Sequence, residues 1–406
     1  MPPAVGWDGF DVVQVPVACL SEPAGLGFHD LSPYRTTRAA YLTNLAIRRI
    51  RLDSGRQMRG EGSIDVAGVS FGISPECLCH DVRDNVRRVR DLEQAGFDYI
   101  WEGDHTLPWQ HSSGHSSGIF TTLAAFLANT DHATVGGMVI PALGIRHHPI
   151  DVAIEVATQA LLYPGRVALC VGTGEAMNEK TTTGMWPALR ERIERTVEGI
   201  ELIKKAWSST DYFEHHGKHY KSFFYLYTKP VEPIPLLCAS QGPIMARNAG
   251  RYTEGYVAVG VPPSHHRDVL IPAFEAGARE AGKDPSAMMK CAWVSSSYHP
   301  SAEKALDGAR VYGGLLIPEA YSYIQDPRVI EQRALLVKDE ALRQAFCVAS
   351  SGEEIIQRFE AFIEAGCNHI LWADMSPDPS LVAKVCADEV LPHLKKKYGA
   401  RVAQPA

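Results

Sequence analysis

Trp101–Trp109 reads WEGDHTLPW and follows the apolar run DYI. An imidazole exchanges a proton near neutral pH, so His105 is a candidate general base, with Asp104 beside it to orient it. Alone, an Asp-His pair after a strand also describes an ordinary capped turn. Its company gives it weight. Glu76 follows VSFGIS, and GTGEAMNE follows VALCV, bringing Gly172, Thr173, Gly174, Glu175 and Glu179. Ala239, Ser240, Gln241, Gly242 and Pro243 close the run PLLCASQGP. Titratable and glycine residues thus gather repeatedly at the ends of apolar runs.

Each motif has a plainer reading. GTGEAMNE is a poor dinucleotide fingerprint, because Met177 stands where the last glycine belongs. Glu175 could simply favour the positive start of the next helix. CLCH (Cys77–His80) and the HHGKH run ending at His219 lack a second half at zinc spacing, so no metal site is expected. Gly242-Pro243 opens PIMARNAG, and the free amides at such a helix start suit an anion such as phosphate.

The elements that position these residues alternate. VSFGIS, DYIWEGD, VGGMVIP, VALCVGTG, PLLCAS, GYVAVG, KCAWVSSSY and HILWAD are short, apolar and largely β-branched. Amphipathic runs separate most of them. In the first, Val82, Val86, Val89 and Leu92 share a face and Gly96 can cap the end. Pro149 fits a helix first turn, and Ser351 with Glu354 spells a capping box. Strands buried on both faces belong in a parallel sheet. Eight βα units predict a (β/α)8 TIM barrel with insertions, in the α/β class, over residues 66–400. A doubly wound open sheet would place a glycine-rich turn after the first strand, and ISPECLCH has none. Ser208–Pro233 and Ser301–Val348 are predicted insertions. Residues 1–65, with the basic run PYRTTRAAYLTNLAIRRIRLDSGRQMRGEG, read as a partly disordered N-terminal extension.

In a barrel, the loops after the strands converge at one mouth, which would bring the Asp104, His105, Glu175 and Ser240 regions together. Net charge is −7, against nucleic acid as main partner. No apolar run spans a bilayer and no signal peptide is seen, so a cytoplasmic enzyme is expected. Nine scattered cysteines give no disulfide framework.

Together, SxE after the first strand, DH-x-x-x-W after the second and GxGEAMNE after the fourth resemble the coenzyme F420-dependent branch of the bacterial-luciferase-like superfamily. That branch includes secondary alcohol dehydrogenases and glucose-6-phosphate dehydrogenases. YLYTKP, GAREAGKDPS and EAGCNHI are similar to the alcohol dehydrogenase side. The likeness runs from Val69 to Leu394. It implies a homodimer using F420, with FMN as the alternative cofactor. It implies that His105 accepts the alcohol proton and that Glu175 gives one to the deazaflavin. It also implies that Trp109 walls the substrate and that Glu76 steadies the His105 network. Asp104, Gly172, Thr173, Gly174, Ala239, Ser240 and Gly242 would meet the cofactor. So would Gly137, Met138 and Val139, where the family carries a cis peptide bond that is not prolyl.

The residues that clamp a sugar phosphate in part of this branch are missing here. VGVPPS, EAYSY and RQAFCV put apolar and aromatic residues in the corresponding stretches, although Arg343 and His265 lie near. A secondary alcohol, or a ketone or imine in reverse, is expected as substrate. The alternatives are glucose 6-phosphate, a methylenetetrahydromethanopterin, an FMN-dependent monooxygenase reaction, and a protein that only stores the cofactor.

Overall fold

Runs rich in Val, Ile, Leu and Cys have nowhere to go but a sheet covered on both faces, and here that sheet closes on itself. The computed structural model describes residues 68–399, so the N-terminal extension lies outside the described residues. The strands are β1 (Ser70–Ser74), β2 (Tyr99–Glu102), β3 (Thr134–Ile140), β4 (Val167–Val171), β5 (Phe213–His216), β6 (Lys221–Phe224), β7 (Leu236–Ala239), β8 (Gly255–Val259), β9 (Met289–Tyr298), β10 (Cys347–Ala349) and β11 (His369–Asp374). The order β1-β2-β3-β4-β7-β8-β9-β11 returns to β1, with every pairing parallel. This is the expected TIM barrel, with helices around it.

Alternation along each strand separates two apolar layers. Phe71, Ile100, Leu169 and Ile370 face the helices, whereas Trp101, Met138, Cys170, Val257, Met289 and Leu371 fill the barrel. Gly136 makes the filling feasible. A Cβ there would lie 2.4 Å from the Trp101 ring and 2.5 Å from the Ala168 carbonyl. Below, the Trp101 indole N–H donates to His369 Nε2 at 3.1 Å.

Local signals fall where the sequence puts them. The helix Val82–Gln94 ends before Gly96, whose φ of 104° suits only a residue without Cβ. Pro149 is the first residue of Pro149–Leu162. Ser351 caps Gly352–Glu364 by accepting from the Glu354 N–H, while the Glu354 carboxylate reaches back to the Ser350 N–H rather than to Ser351. The first insertion contains the antiparallel β5–β6 hairpin. The second is mostly helical and ends in β10, which extends the sheet beside β9. Its Tyr312, Ile317, Ala320 and Ile330 pack with Trp109, Met177 and Met375 in a third apolar cluster over the barrel mouth.

Candidate active site

A cavity of about 420 Å³ opens at the carboxyl ends of the strands. Glu76, Asp104, His105, Trp109, Met138, Val139, Thr173, Gly174, Glu175, Ala239, Ser240 and Gly242 all line it. Gly137 and Gly172 do not. A Cβ on Gly137 would meet Ile140 at 2.4 Å and Leu123 at 3.4 Å, so that face points to the helices. Gly172 lies behind the wall, where a Cβ would stand 2.6 Å from Val139 Cγ1 and 3.0 Å from Ala239 Cβ. Its lack of side chain lets those two lining residues close together. The cis bond lies between Met138 and Val139, where the β3 register shifts against β4.

His105 and Glu175 share one wall. His105 Nε2 is 3.7 Å from Glu175 Oε2. Burial pushes the imidazole down to about 4, so it is neutral at pH 7 rather than poised near neutrality as its type suggests. Its Nδ1 sits 3.1 Å from the Leu107 carbonyl. In the tautomer that donates from Nδ1 to that carbonyl, Nε2 is bare and able to accept a proton. Glu175 holds the N-cap position of Ala176–Thr183 but makes no capping bond. Burial, helped by the Glu179 charge, pushes its carboxyl up to about 8. A protonated acid therefore faces a neutral base. A quarter of the Glu175 side chain (24%) still meets the cavity, so a ring laid there completes its desolvation.

Asp104 lines the cavity but is not bonded to His105. The Arg146 fork donates to both of its oxygens at 2.7 and 2.8 Å, and His147 Nε2 lies 2.8 Å from Oδ2. Burial works to raise its pKa, yet His147 and Arg146 hold it below the usual carboxylate range. Arg146 also reaches Glu179, which is fully buried. Glu76 likewise does not touch His105: its Oε2 accepts from the Tyr312 hydroxyl at 3.1 Å. Burial and the nearby Glu102 charge push Glu76 up to about 8. Its backbone has φ 54°, in the left-handed region that a side chain enters only where the surroundings hold it. Trp109 packs against Tyr321, ring centroids 5.1 Å apart, and against His105 at 5.8 Å.

Sequence reasoning missed several lining residues. Tyr312, Leu315 and Tyr321 come from the second insertion and Trp293 from inside β9. Asn178, inside GTGEAMNE, lines the cavity as well. Among the described residues no Lys or Arg lines the cavity; Arg343 and His265 are absent from its walls, and His265 bonds to the Gln241 carbonyl instead. Around HHGKH, His215 and the His219 N–H are held by Glu198. Among the described residues no three potential ligand side chains cluster for a metal.

A parallel barrel with an acid, a base and glycine-backed walls at its mouth defines a TIM-barrel enzyme. The chain belongs to the luciferase-like monooxygenase family, whose sequence profile matches residues 58–369. It is 31% identical over 75% of its length to an F420-dependent glucose-6-phosphate dehydrogenase of Microbacterium testaceum, covering 91% of that protein. A protein of the same name from Kribbella flavida is 32% identical over 77% of this chain and 95% of its own. Among solved structures, an F420-dependent secondary alcohol dehydrogenase in complex with an F420-acetone adduct aligns with TM-score 0.78 and 33% identity, over 80% of this chain and 99% of the other.

Proposed function

We propose that this enzyme is an F420-dependent oxidoreductase that transfers a hydride between a small uncharged secondary alcohol and the deazaflavin, or the reverse from a ketone. One observation carries the reading: a neutral imidazole and a protonated carboxyl lie 3.7 Å apart on one wall of a cavity that, among the described residues, has no Lys or Arg side chain. Secondary alcohol oxidation releases a hydride and a proton, and F420, when bound, would supply the two-electron hydride chemistry. His105 Nε2 accepts the hydroxyl proton. Glu175 supplies the proton that neutralises charge building on the ring. The two residues finish as imidazolium and carboxylate side by side, so each stabilises the charge the other has acquired. Trp109 and Tyr321 shape the apolar end where the alcohol's carbon groups rest.

The residues fit such a cofactor. Val139 and Ala239, drawn together over Gly172, make an apolar stretch of wall. Gly242 caps Pro243–Tyr252 without a side-chain bond and with open space beside it, leaving the helix start free for a phosphate. Asp104, held by Arg146 and His147, stiffens the cavity wall and holds no proton.

The curated relatives favour glucose 6-phosphate as a second reading. Against it stands the lining, which among the described residues offers a dianion no Lys or Arg side chain. The test is loss of the oxidised F420 chromophore with a panel of secondary alcohols, sugar phosphates and methylenetetrahydromethanopterin. Bleaching by neutral alcohols is expected. Bleaching by glucose 6-phosphate alone overturns the substrate assignment, and purification with tightly bound FMN overturns the cofactor assignment. The same reading has the enzyme act in the cytoplasm as a homodimer, the latter checked by light scattering.

A further inference from the structure

We infer that Asn178 is a positioning residue that locks the acid and the base into one unit and decides which oxygen of Glu175 carries the proton. The inference rests on the oxidoreductase reading above. Asn178 is only 2% exposed and lies in the first turn of Ala176–Thr183. Its Oδ1 accepts from the Thr106 and Leu107 backbone N–H groups at 2.9 and 3.3 Å. Those groups can only donate, so the amide has one orientation and its NH2 must face the other way. There it lies 3.1 Å from Glu175 Oε2 and 3.1 Å from His105 Nδ1. One side chain thus touches the loop after β2, which carries the base, and the residue after β4 that is the acid.

Two consequences follow from donor counting. Glu175 Oε2 faces the Asn178 NH2, which can only donate, and His105 Nε2 at 3.7 Å is beyond hydrogen-bond reach, so Oε2 acts as acceptor. The carboxyl proton then resides on Oε1, the oxygen left free to give it up. His105 Nδ1 has both a donor, Asn178, and an acceptor, the Leu107 carbonyl, within reach. The amide can donate only to a bare Nδ1 and the carbonyl can accept only from a protonated one, so the two compete over the tautomer, and the carbonyl-bonded tautomer is the one that leaves Nε2 free to accept a proton.

The test compares Asn178→Asp and Asn178→Ala with wild type. Asn178→Asp keeps an oxygen for the Thr106 and Leu107 N–H groups but replaces the NH2 by a second oxygen facing Glu175 and His105. In the cofactor-free protein, NMR titration of the histidine rings should show the His105 midpoint raised by about 1 pH unit or more in Asn178→Asp, since a nearby anion favours imidazolium. In turnover, the alkaline limb set by Glu175 should move to higher pH in both variants, because each removes a donor that favours its ionised form. The kcat should fall by about tenfold to a hundredfold, with F420 affinity within a few-fold of wild type. Circular dichroism verifies that both remain folded, and Asn178→Asp decides the question if Asn178→Ala does not fold. Folded Asn178→Asp with an unmoved His105 midpoint and an unmoved alkaline limb overturns the inference. Wild-type protein inert toward F420 and every alcohol would instead sink the oxidoreductase reading, leaving the NMR result to stand alone.

Discussion

Glu175 sits where a helix wants its cap and leaves the cap undone, because its carboxyl is turned to His105 and Asn178. In the proposed reaction its protonation and that of His105 would bound the pH range of turnover. The base must be neutral, which holds above about 4, and the acid must be protonated, which holds below about 8. Alcohol oxidation at saturating cofactor should rise with pH through the first value and fall through the second, read from kcat. Glu175→Gln keeps the shape and removes the proton; only the acidic limb should survive, with kcat lowered about a hundredfold or more. The placement of His105 and Glu175 at the barrel mouth was legible in the sequence because each stands at the end of an apolar run. The grip of Arg146 on Asp104 was not, since it joins residues far apart along the chain that become neighbours only when β2 and β3 pair. The same holds for Tyr312 on Glu76.

At the scale of elements, strand-to-strand closeness behind the site matters as much as the side chains in front. Gly172 is the spacer between the β3 bulge and β7. Gly172→Ala should force Val139 or Ala239 into the cavity and weaken F420 binding about tenfold, by fluorescence titration, while the fold survives. The eight barrel strands were readable because both-face burial writes itself as unbroken apolar runs. β10 and the β5–β6 hairpin were not read as strands: β10 is three residues long at the end of a helical insertion, and the hairpin alternates half-exposed positions rich in His and Lys.

For the whole molecule, buried titratable groups tie stability to pH. Folding pushes Glu76 and Glu175 up to about 8 and Glu102 to about 7, so the folded chain binds these protons more tightly than the unfolded one. Their contribution is present at low pH and is lost as pH rises to 8. Buried His80, His105 and His266, pushed down to about 4, act in the opposite sense but only below about 6.5, their ordinary value. Between pH 6.5 and 8 only the carboxyls act, and the Tm of the cofactor-free protein should fall across that window by calorimetry. F420 at about 100 times its Kd adds about 2.7 kcal/mol and should raise Tm by several degrees. No helix among the described residues is long and apolar enough to cross a membrane.

The most direct test is the single-turnover bleaching rate of bound F420 by a neutral secondary alcohol in wild type, His105→Ala, Glu175→Gln and the double variant, with Kd for F420 measured alongside. If acid and base serve one hydride transfer, each single change slows bleaching about a hundredfold or more while Kd stays within a few-fold, and the double variant is little slower than the worse single one. Unchanged bleaching in either single variant, or a loss wholly in Kd, would contradict the shared site.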